Sequence, residues 1–159
     1  ENLKSVPGRL ERIDCGQDFT VFIDYAHTQD ALENVLSTLR QTRDAKIILV
    51  FGCGGDRDCS KRSAMGNVAS HLADMSIVTS DNPRSEDPAA IMNEIIEGFE
   101  NDNYKAIVNR EEAIKYALHL AQKDDIVLIA GKGHESYQIF KDRTIQFDER
   151  QLVRQFILC

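Results

Sequence analysis

The stretch KIILVFGCGGDRD, residues 46–58, says most about the architecture, because an unbroken apolar run stops abruptly at glycines and charged residues. The run at 46–51 is rich in β-branched residues and does not alternate, which is typical of a strand covered on both faces. Similar short runs recur at 20–23, 75–78, 106–108 and 125–129. The sequence therefore predicts five buried strands.

Helical patterns lie between these runs. Leu32, Val35, Leu36 and Leu39 fall at positions i, i+3, i+4 and i+7, which is one apolar stripe of an amphipathic helix. The same spacing recurs in two later segments, at Ile91, Ile95 and Phe99, and at Ala113, Ile114, Ala117, Leu118 and Ala121. Alternating strands and helices predict an α/β fold, a doubly wound, three-layer Rossmann-like domain with a mainly parallel sheet.

The two ends of the chain depart from this alternation. Residues 9–13 are expected to pair with the run at 20–23, and residues 137–147 resemble a hairpin that turns at 141–143. Apolar residues at 152, 153, 156 and 157 predict a final helix. Residues 1–7 are interpreted as the remnant of an interdomain linker, and residues 8–159 as one domain of ordinary size.

Composition excludes several classes of function. The chain has 159 residues, a net charge of -7 and a pI near 5.1, which argues against a general binder of nucleic acid or anionic membranes. No segment resembles a signal peptide or a membrane span. The four cysteines form no CxxC pair and the histidines lack zinc-ligand spacing, so free thiols in the cytoplasm and no metal site are expected.

Four polar motifs follow the predicted strands: DYAHTQD at 24–30, FGCGGDRD at 51–58, SDNPRSEDP at 80–88 and AGKGHE at 130–135. In open α/β sheets, ligands bind where parallel strands finish at their carboxyl ends. We therefore expect these motifs to share one rim and to form the functional site.

The common nucleotide-binding motifs and the hydrolase nucleophile motif are absent from the sequence. A GxGxxG fingerprint starting at Gly52 would need glycine at 57, where Arg57 stands. Gly131-Lys132-Gly133 lacks both the upstream glycine and the following Ser or Thr of a phosphate loop. No GxSxG nucleophile elbow occurs. If the domain takes part in ATP chemistry, most of the triphosphate must be held elsewhere.

The four motifs, in this order and spacing, resemble the C-terminal domain of the Mur ligases over nearly the whole chain, from VPGRLE at 6–11 to the final helix. The DNPR segment at 81–84 resembles the diaminopimelate-adding members of that family. The resemblance implies a three-domain, monomeric, ATP-dependent amide ligase of peptidoglycan synthesis that works through an acyl phosphate. An N-terminal domain would bind UDP-N-acetylmuramoyl-L-alanyl-D-glutamate, and a central domain would bind ATP and most of the Mg2+. This last domain would bring the amino acid and bind part of ATP.

The resemblance also implies an amino-acid site. Diaminopimelate carries a carboxylate and an ammonium at its distal end, and a planar guanidinium such as that of Arg84 suits the carboxylate that lysine lacks. The diaminopimelate-binding residues implied are Arg57, Asp81, Asn82, Pro83, Arg84, Gly131 and Glu135. The alternatives are ordinary turn chemistry for DNPR, an Arg57 paired with Asp56 or Asp58, and a solvated Glu135.

The ATP contacts implied by the resemblance are Arg9, Asp24, His27 and Lys61. Asp24 and Arg9 match positions that bond the ribose, His27 lies near the base or ribose, and Lys61 faces phosphate after domain closure. Alternatively, Asp24 and His27 only pin the end of the strand. Thr28 is expected to cap the first helix, with Gln29 where the family usually has proline.

The group that deprotonates the attacking amine is not identified by the sequence. His134 is one candidate base, and a structural histidine is the alternative. Two other functions are compatible with the sequence: a related ligase that adds lysine or extends folylpolyglutamate, and a non-catalytic nucleotide-binding domain of flavodoxin-like shape. This chain alone is expected to have no ligase turnover.

Overall fold

The computed structural model describes residues 9–42 and 44–158. The proposed linker at 1–7 lies outside the described residues. The described residues form eight strands, which we number in chain order β1 Glu11–Ile13, β2 Thr20–Asp24, β3 Ile47–Phe51, β4 Met75–Val78, β5 Tyr104–Ala106, β6 Ile126–Ala130, β7 Tyr137–Ile139 and β8 Thr144–Gln146. Over the same ranges there are five helices, α1 Gln29–Thr42, α2 Ser60–Leu72, α3 Pro88–Ile96, α4 Arg110–Leu120 and α5 Glu149–Leu158.

The main sheet has six strands in the order β1-β2-β6-β3-β4-β5. All neighbours are parallel except β1, which runs antiparallel to β2 at the edge, and the hairpin β7–β8 forms a separate two-stranded sheet. The predicted α/β class, the antiparallel edge, the hairpin and the final helix are confirmed.

Helices cover both faces of the sheet. In β3, Leu49 and Phe51 join the core beneath α1, α2 and α3, whereas Ile48 and Val50 join the core beneath α4 and α5. Every residue of β3 and of β6 is buried. The missing alternation in these two runs is therefore explained by cover on both sides of the sheet.

Two elements differ from the sequence-based expectation. The strand predicted at 106–108 is instead Tyr104–Ala106, and Val108 is 50% exposed because the chain there turns into Asn109, which caps α4. Helix α2 was not predicted, because none of the apolar stripes found in the sequence falls within it. Its buried face consists of an arginine, small residues and two larger apolar side chains: Arg62, Met65, Gly66, Val68, Ala69 and Ser70.

Helix starts follow local chemistry. Thr28 Oγ1 accepts the amide hydrogen of Ala31 at 3.2 Å, which confirms Thr28 as the cap of α1. The Asp87 side chain accepts from the amide of Ala89, with Pro88 at the first helical position. These caps place the helices directly after the polar loops, so that the loops are short and held at both ends. In the part of the chain that the structure describes, none of the helices has the length and apolar character needed to cross a bilayer.

Cys53 gives a test of this packing at high pH. Its thiol is 3% exposed and lies 3.6 Å from the Met65 sulfur, and burial raises the pKa of Cys53 from 9.0 to about 12. The folded state therefore keeps a proton that the unfolded chain releases above pH 9. We expect Cys53 to lower the free energy of unfolding by up to about 1.4 kcal/mol per pH unit as pH rises from 9 towards 12, with no such loss below pH 9.

The measurement is urea unfolding of the chain at several alkaline pH values, with Cys53→Ala for comparison. The alanine variant should lose stability less steeply with pH, whereas Cys59→Ala, at an exposed position, should keep the original slope. Equal slopes for all three proteins would contradict the buried, protonated thiol.

Candidate functional site

The loops that follow β3 and β4 are in direct backbone contact. The amide of Gly55 donates to the Asn82 carbonyl oxygen at 2.8 Å. A Cβ atom on Gly55 would lie only 1.8 Å from the Pro83 oxygen, so only glycine permits this approach. The two motifs that each carry a candidate arginine are thereby joined into one surface.

The hairpin supports the DNPR loop from its other side. The amide of Ile139 donates to Asn82 Oδ1 at 3.0 Å, and the amide of Arg84 donates to the Ile139 carbonyl oxygen at 3.1 Å. Gln138, which is 3% exposed, donates through Nε2 to the Asp81 carbonyl oxygen at 2.7 Å. Asp81, Asn82 and Pro83 are consequently all buried.

Arg84 is directed towards the glycine loop. Its Nη1 donates to the Gly55 carbonyl oxygen at 2.9 Å, and more weakly to the Asn82 carbonyl oxygen at 3.5 Å. In the described part of the chain, its side-chain hydrogen bonds go to backbone oxygens and none goes to a carboxylate. Arg84 also has φ +51, a left-handed conformation that a non-glycine residue adopts at a cost of about 1–2 kcal/mol. Strain is thus tolerated at the position expected to recognise the ligand.

Arg57 is exposed and lies beside the same glycines, with its Cγ 3.7 Å from the position of a Cβ on Gly54. The alternative of an ion pair with a neighbouring acid does not match the structure, since Arg57 Nη1 donates to the backbone oxygen of Asp56 at 3.1 Å. The Asp56 carboxylate accepts from the amide and hydroxyl of Ser85, and these hydrogen bonds lower the pKa of Asp56.

Asp58 is engaged in the same way, because its carboxylate accepts from the amide and hydroxyl of Ser60. Both of the acids that flank Arg57 in sequence are therefore occupied by serines. The guanidinium of Arg57 is left available to an external anion.

Glu135 and Gly131 come from the loop after β6. Glu135 is half-buried, and its Oε2 accepts from Asn82 Nδ2 at 3.3 Å, so it is not simply a solvated loop acid. Gly131 has φ +115, and a Cβ there would lie 2.9 Å from Asp81 Oδ2. The structure thus brings the predicted acid of GKGHE next to the predicted amide of DNPR.

Asp81 faces a buried lysine from the GKGHE loop. Its Oδ1 lies 3.3 Å from Lys132 Nζ, and the two side chains are 9% and 0% exposed. Burial lowers the pKa of Lys132, and the nearby Asp81 carboxylate opposes that shift. Of the two candidate carboxylates for a ligand ammonium, Glu135 is therefore the more accessible one.

A second buried cation, Arg62 of α2, fastens the two arginine-bearing loops. Its guanidinium donates to the Gly54 carbonyl oxygen at 3.1 Å and to both carboxylate oxygens of Glu86, at 2.9 and 3.0 Å. It also reaches Glu94 at 3.0 Å. Because Glu86 also accepts from the amide of Asp56, the glycine loop and the segment after DNPR form one connected network.

A third buried cation holds the bases of the loops. Arg110 donates to the Ser80 oxygen at 3.3 Å and to the Ala130 oxygen at 2.9 Å, which are the residues directly before DNPR and GKGHE. Its Nε lies 2.6 Å from Glu149 Oε1, and both side chains are 0% exposed. Helices α4 and α5 are therefore tied to the site by one ion pair.

The candidate nucleotide residues gather beside β2. Arg9, Asp24 and His27 line one cleft of about 480 Å3, and Lys61 Nζ donates to the His27 carbonyl oxygen at 2.8 Å. The Asp24 carboxylate accepts from the amide of Ala26 at 2.7 Å and from the amide of Leu10 at 2.8 Å. Asp24 thus does pin the strand end, and each oxygen keeps a lone pair for a hydroxyl donor.

His134 is exposed, and its ring centre lies 5.6 Å from that of Tyr25, which also contacts His27 at 4.7 Å. This small aromatic group lies between the nucleotide cleft and the amino-acid residues. His134 is accessible to a ligand, and its role as a base stays a prediction.

A further cleft, of about 920 Å3, lies elsewhere, between the hairpin and the first turns of α4 and α5. No predicted site residue lines it. The described residues also contain no group of three or more His, Cys, Asp or Glu side chains suited to a metal ion.

The sequence reasoning missed the supporting residues, Lys132, Arg62, Arg110 and Glu149. Charged side chains are normally assigned to the surface, and none of these four has a motif of its own that signals burial. The position of Lys132 between two motif glycines was the one available signal.

Comparison with known proteins identifies the family. The family described as "Mur ligase, glutamate ligase domain" matches residues 8–133. The chain belongs to the Mur ligase family. The family resemblance inferred from the four motifs is therefore confirmed, together with the fold.

Individual relatives of this Mur ligase domain are more specific. It is 54% identical over 158 residues to the "UDP-N-acetylmuramoyl-L-alanyl-D-glutamate--2,6-diaminopimelate ligase" of Syntrophomonas wolfei, covering 98% of the chain and 32% of that protein. The protein of the same name from Bacillus licheniformis is 52% identical, with 99% and 32% covered. The Mur ligase domain thus spans about a third of the length of these curated relatives.

Among solved structures, a diaminopimelate ligase is more similar to this chain than a folylpolyglutamate synthase is. A structure of a diaminopimelate ligase of that name superposes with a TM-score of 0.89 at 43% identity, covering 98% of this chain and 32% of the other. Mycobacterium tuberculosis folylpolyglutamate synthase complexed with ADP and AMPPCP superposes with a TM-score of 0.64 at 27% identity, with 80% and 30% covered.

Proposed function

We propose that this chain is the C-terminal domain of an ATP-dependent ligase that adds meso-diaminopimelate to UDP-N-acetylmuramoyl-L-alanyl-D-glutamate. The domain would hold the amino acid and part of ATP, and two preceding domains would hold the UDP-linked dipeptide and the phosphates. The observation that carries the proposal is the convergence of Arg84, Arg57 and Glu135 on the glycine-lined rim, where neither arginine forms an ion pair with another described residue.

The charges of the candidate site suit an amino acid that carries an ammonium and a carboxylate at each end. Arg84 and Arg57 supply guanidinium groups for carboxylates, and Glu135 supplies an acceptor for the distal ammonium. Lysine has that ammonium but lacks the distal carboxylate, so Arg84 would be left without its partner. Selectivity for diaminopimelate over lysine then follows from an unmatched, half-buried donor rather than from size.

The reaction proposed is amide bond formation. The glutamate carboxyl is activated as an acyl phosphate at the expense of ATP, the free amine of diaminopimelate attacks the acyl carbon, and phosphate leaves. The attacking amine must lose a proton, since an alkyl ammonium has a pKa of about 10. The contribution of this domain is orientation: fixed contacts at the distal end direct the other amine towards the neighbouring domain.

The nucleotide residues fit the nucleoside end of ATP. The cleft of about 480 Å3 is open, Asp24 is held in place by two amide donors, and Arg9 and His27 lie in the same wall. Magnesium does not fit this chain alone, because the described residues provide no cluster of acidic ligands. The proposal therefore assigns Mg2+ mainly to the central domain.

The test compares diaminopimelate with lysine in the full-length ligase that carries this domain. We expect kcat/KM to favour diaminopimelate by at least about 30-fold. Titration calorimetry of the 159-residue chain should show weak binding of diaminopimelate and ATP and no turnover, since a site between domains is completed by closure. Equal use of lysine, or transfer of glutamate to a folate, would instead favour one of the related ligases.

A further inference from the structure

Lys132 is a fully buried cation whose partners lie in the DNPR loop and in the hairpin that supports it. Its Nζ donates to Asn82 Oδ1 at 2.8 Å and to the Tyr137 carbonyl oxygen at 2.9 Å, and lies 3.3 Å from Asp81 Oδ1. An ammonium has three N–H donors, and here three acceptors surround it. The Lys132 side chain is also 0% exposed, so it acts on these neighbours rather than on a ligand.

The main effect of these contacts falls on the Asn82 amide. Its Oδ1 accepts from both Lys132 Nζ and the amide of Ile139, which fills both oxygen lone pairs. In the reversed orientation, the NH2 group would face two donors and Oδ1 would face the Glu135 carboxylate. Lys132 and Ile139 together thus direct Nδ2 towards Glu135, at 3.3 Å.

This orientation matters for what the rim presents. Asn82 offers N–H donors in the loop that also carries Arg84, and Glu135 offers an acceptor next to them. Donors for a carboxylate and an acceptor for an ammonium then stand in a fixed order, as a carbon bearing both groups requires. A reversed amide would present an oxygen where a donor is needed.

We propose that Lys132 is a positioning residue that determines specificity for diaminopimelate by fixing the direction of the Asn82 amide. The proposal rests on the proposed function of this site. Lys132 touches no substrate: its effect passes through Asn82 to the distal carboxylate and ammonium. Competing lysine has no distal carboxylate for the Asn82 donor, so its use depends far less on the direction of the amide.

The test is the Lys132→Met variant of the full-length ligase, assayed with diaminopimelate, with lysine and with varied ATP. We expect the KM for diaminopimelate to rise about 10-fold, and selectivity over lysine to fall by a similar factor. The kcat and the KM for ATP should change less than about 2-fold. Lys123→Met is the matched control, because Lys123 is exposed near the opposite end of β6, and it should change nothing.

A double-mutant cycle separates this role from general loss of structure. In an Asn82→Ala background, Lys132→Met should raise the KM for diaminopimelate less than about 2-fold further, since the amide that it orients is gone. Additive effects, or equal losses for diaminopimelate, lysine and ATP, would overturn the proposal. If the unmodified ligase shows no preference for diaminopimelate over lysine, the proposed function itself is refuted. That outcome differs from a failure of the Lys132 proposal, in which the unmodified ligase keeps its preference.

A measurement on the unmodified chain covers the case in which Lys132→Met does not fold. Nitrogen-15 NMR should show a slowly exchanging Lys132 ammonium signal and two distinct Asn82 Nδ2 hydrogens. Added diaminopimelate should shift the Asn82 hydrogens more than the Lys132 signal. An ammonium that exchanges as fast as that of exposed Lys123 would contradict the fixed contact.

Discussion

Replacing Arg84 with alanine in the full-length ligase is expected to lower kcat/KM for diaminopimelate by on the order of 30- to several-thousand-fold. The physical reason is the loss of a half-buried guanidinium that, among the described residues, donates only to backbone oxygens and is free to meet a carboxylate. Use of lysine should fall much less, because lysine lacks that group. The measurement is the kcat/KM ratio for the two amino acids.

Two variants serve as controls for this result. Arg154→Ala removes an exposed arginine from α5 and should leave both substrates unaffected. Arg84→Gly should lose diaminopimelate use as fully as Arg84→Ala. The free energy of unfolding of Arg84→Gly should exceed that of Arg84→Ala by about 1 kcal/mol, because glycine accepts the left-handed backbone at position 84. Intact diaminopimelate use in either Arg84 variant would refute the assignment of Arg84.

Replacing Arg110 with methionine is expected to lower the free energy of unfolding of the chain by about 3–5 kcal/mol. The side chain of Glu149 is 0% exposed, and without Arg110 its charge would be buried with no partner. The carbonyl oxygens of Ser80 and Ala130 would also lose their donor. Urea unfolding followed by circular dichroism measures the change.

The informative control is the double variant Arg110→Met with Glu149→Leu, which removes both charges. It should recover at least about half of the lost stability, since an ion pair replaced by apolar groups is often nearly neutral. Arg154→Met, on the exposed side of α5, should change stability by less than about 0.5 kcal/mol. A double variant no more stable than Arg110→Met would show that the backbone contacts, not the ion pair, carry the effect.

The strands of the central sheet could be predicted from sequence because burial on both faces requires a continuous apolar run, as at 47–51 and 126–130. The edge strand β5 was harder to predict. At β5 the apolar residues at 107 and 108 lie beyond the strand, and packing of Tyr104 against Phe99 fixes the strand earlier in the chain. Tertiary contact therefore outweighed local composition.

Helix α2 shows why some elements give no signal. Its partner α3 approaches so closely that a Cβ on Gly66 would lie 2.0 Å from the Ile95 oxygen. Close backbone contact requires small residues, such as Gly66 and Ala69, on the buried face. A face of this kind has no apolar stripe, and Arg62 within it resembles a surface residue until its acidic partners are known.

The candidate site could be predicted where a motif placed side chains after a strand. Arg57, Arg84 and Glu135 do share one rim, since the carboxyl ends of parallel neighbours meet there. The direction of the Asn82 amide was not predictable, because Lys132 and the hairpin reach it from residues distant in sequence. Local patterns identify the candidate ligand contacts, whereas the buried cations that support them appear only in three dimensions.

The position of β6 has a consequence for how the molecule assembles during synthesis. Strand β6 lies between β2 and β3, pairing Ile126 with both Thr20 and Ile47. Until it leaves the ribosome, the nascent chain holds a β1–β2 piece and a β3–β4–β5 piece with no shared ladder. Pairing of this late strand with β2 and β3 completes the main sheet and also positions the loop at residues 131–135. A translation product truncated before β6 would therefore have neither a complete sheet nor a binding surface.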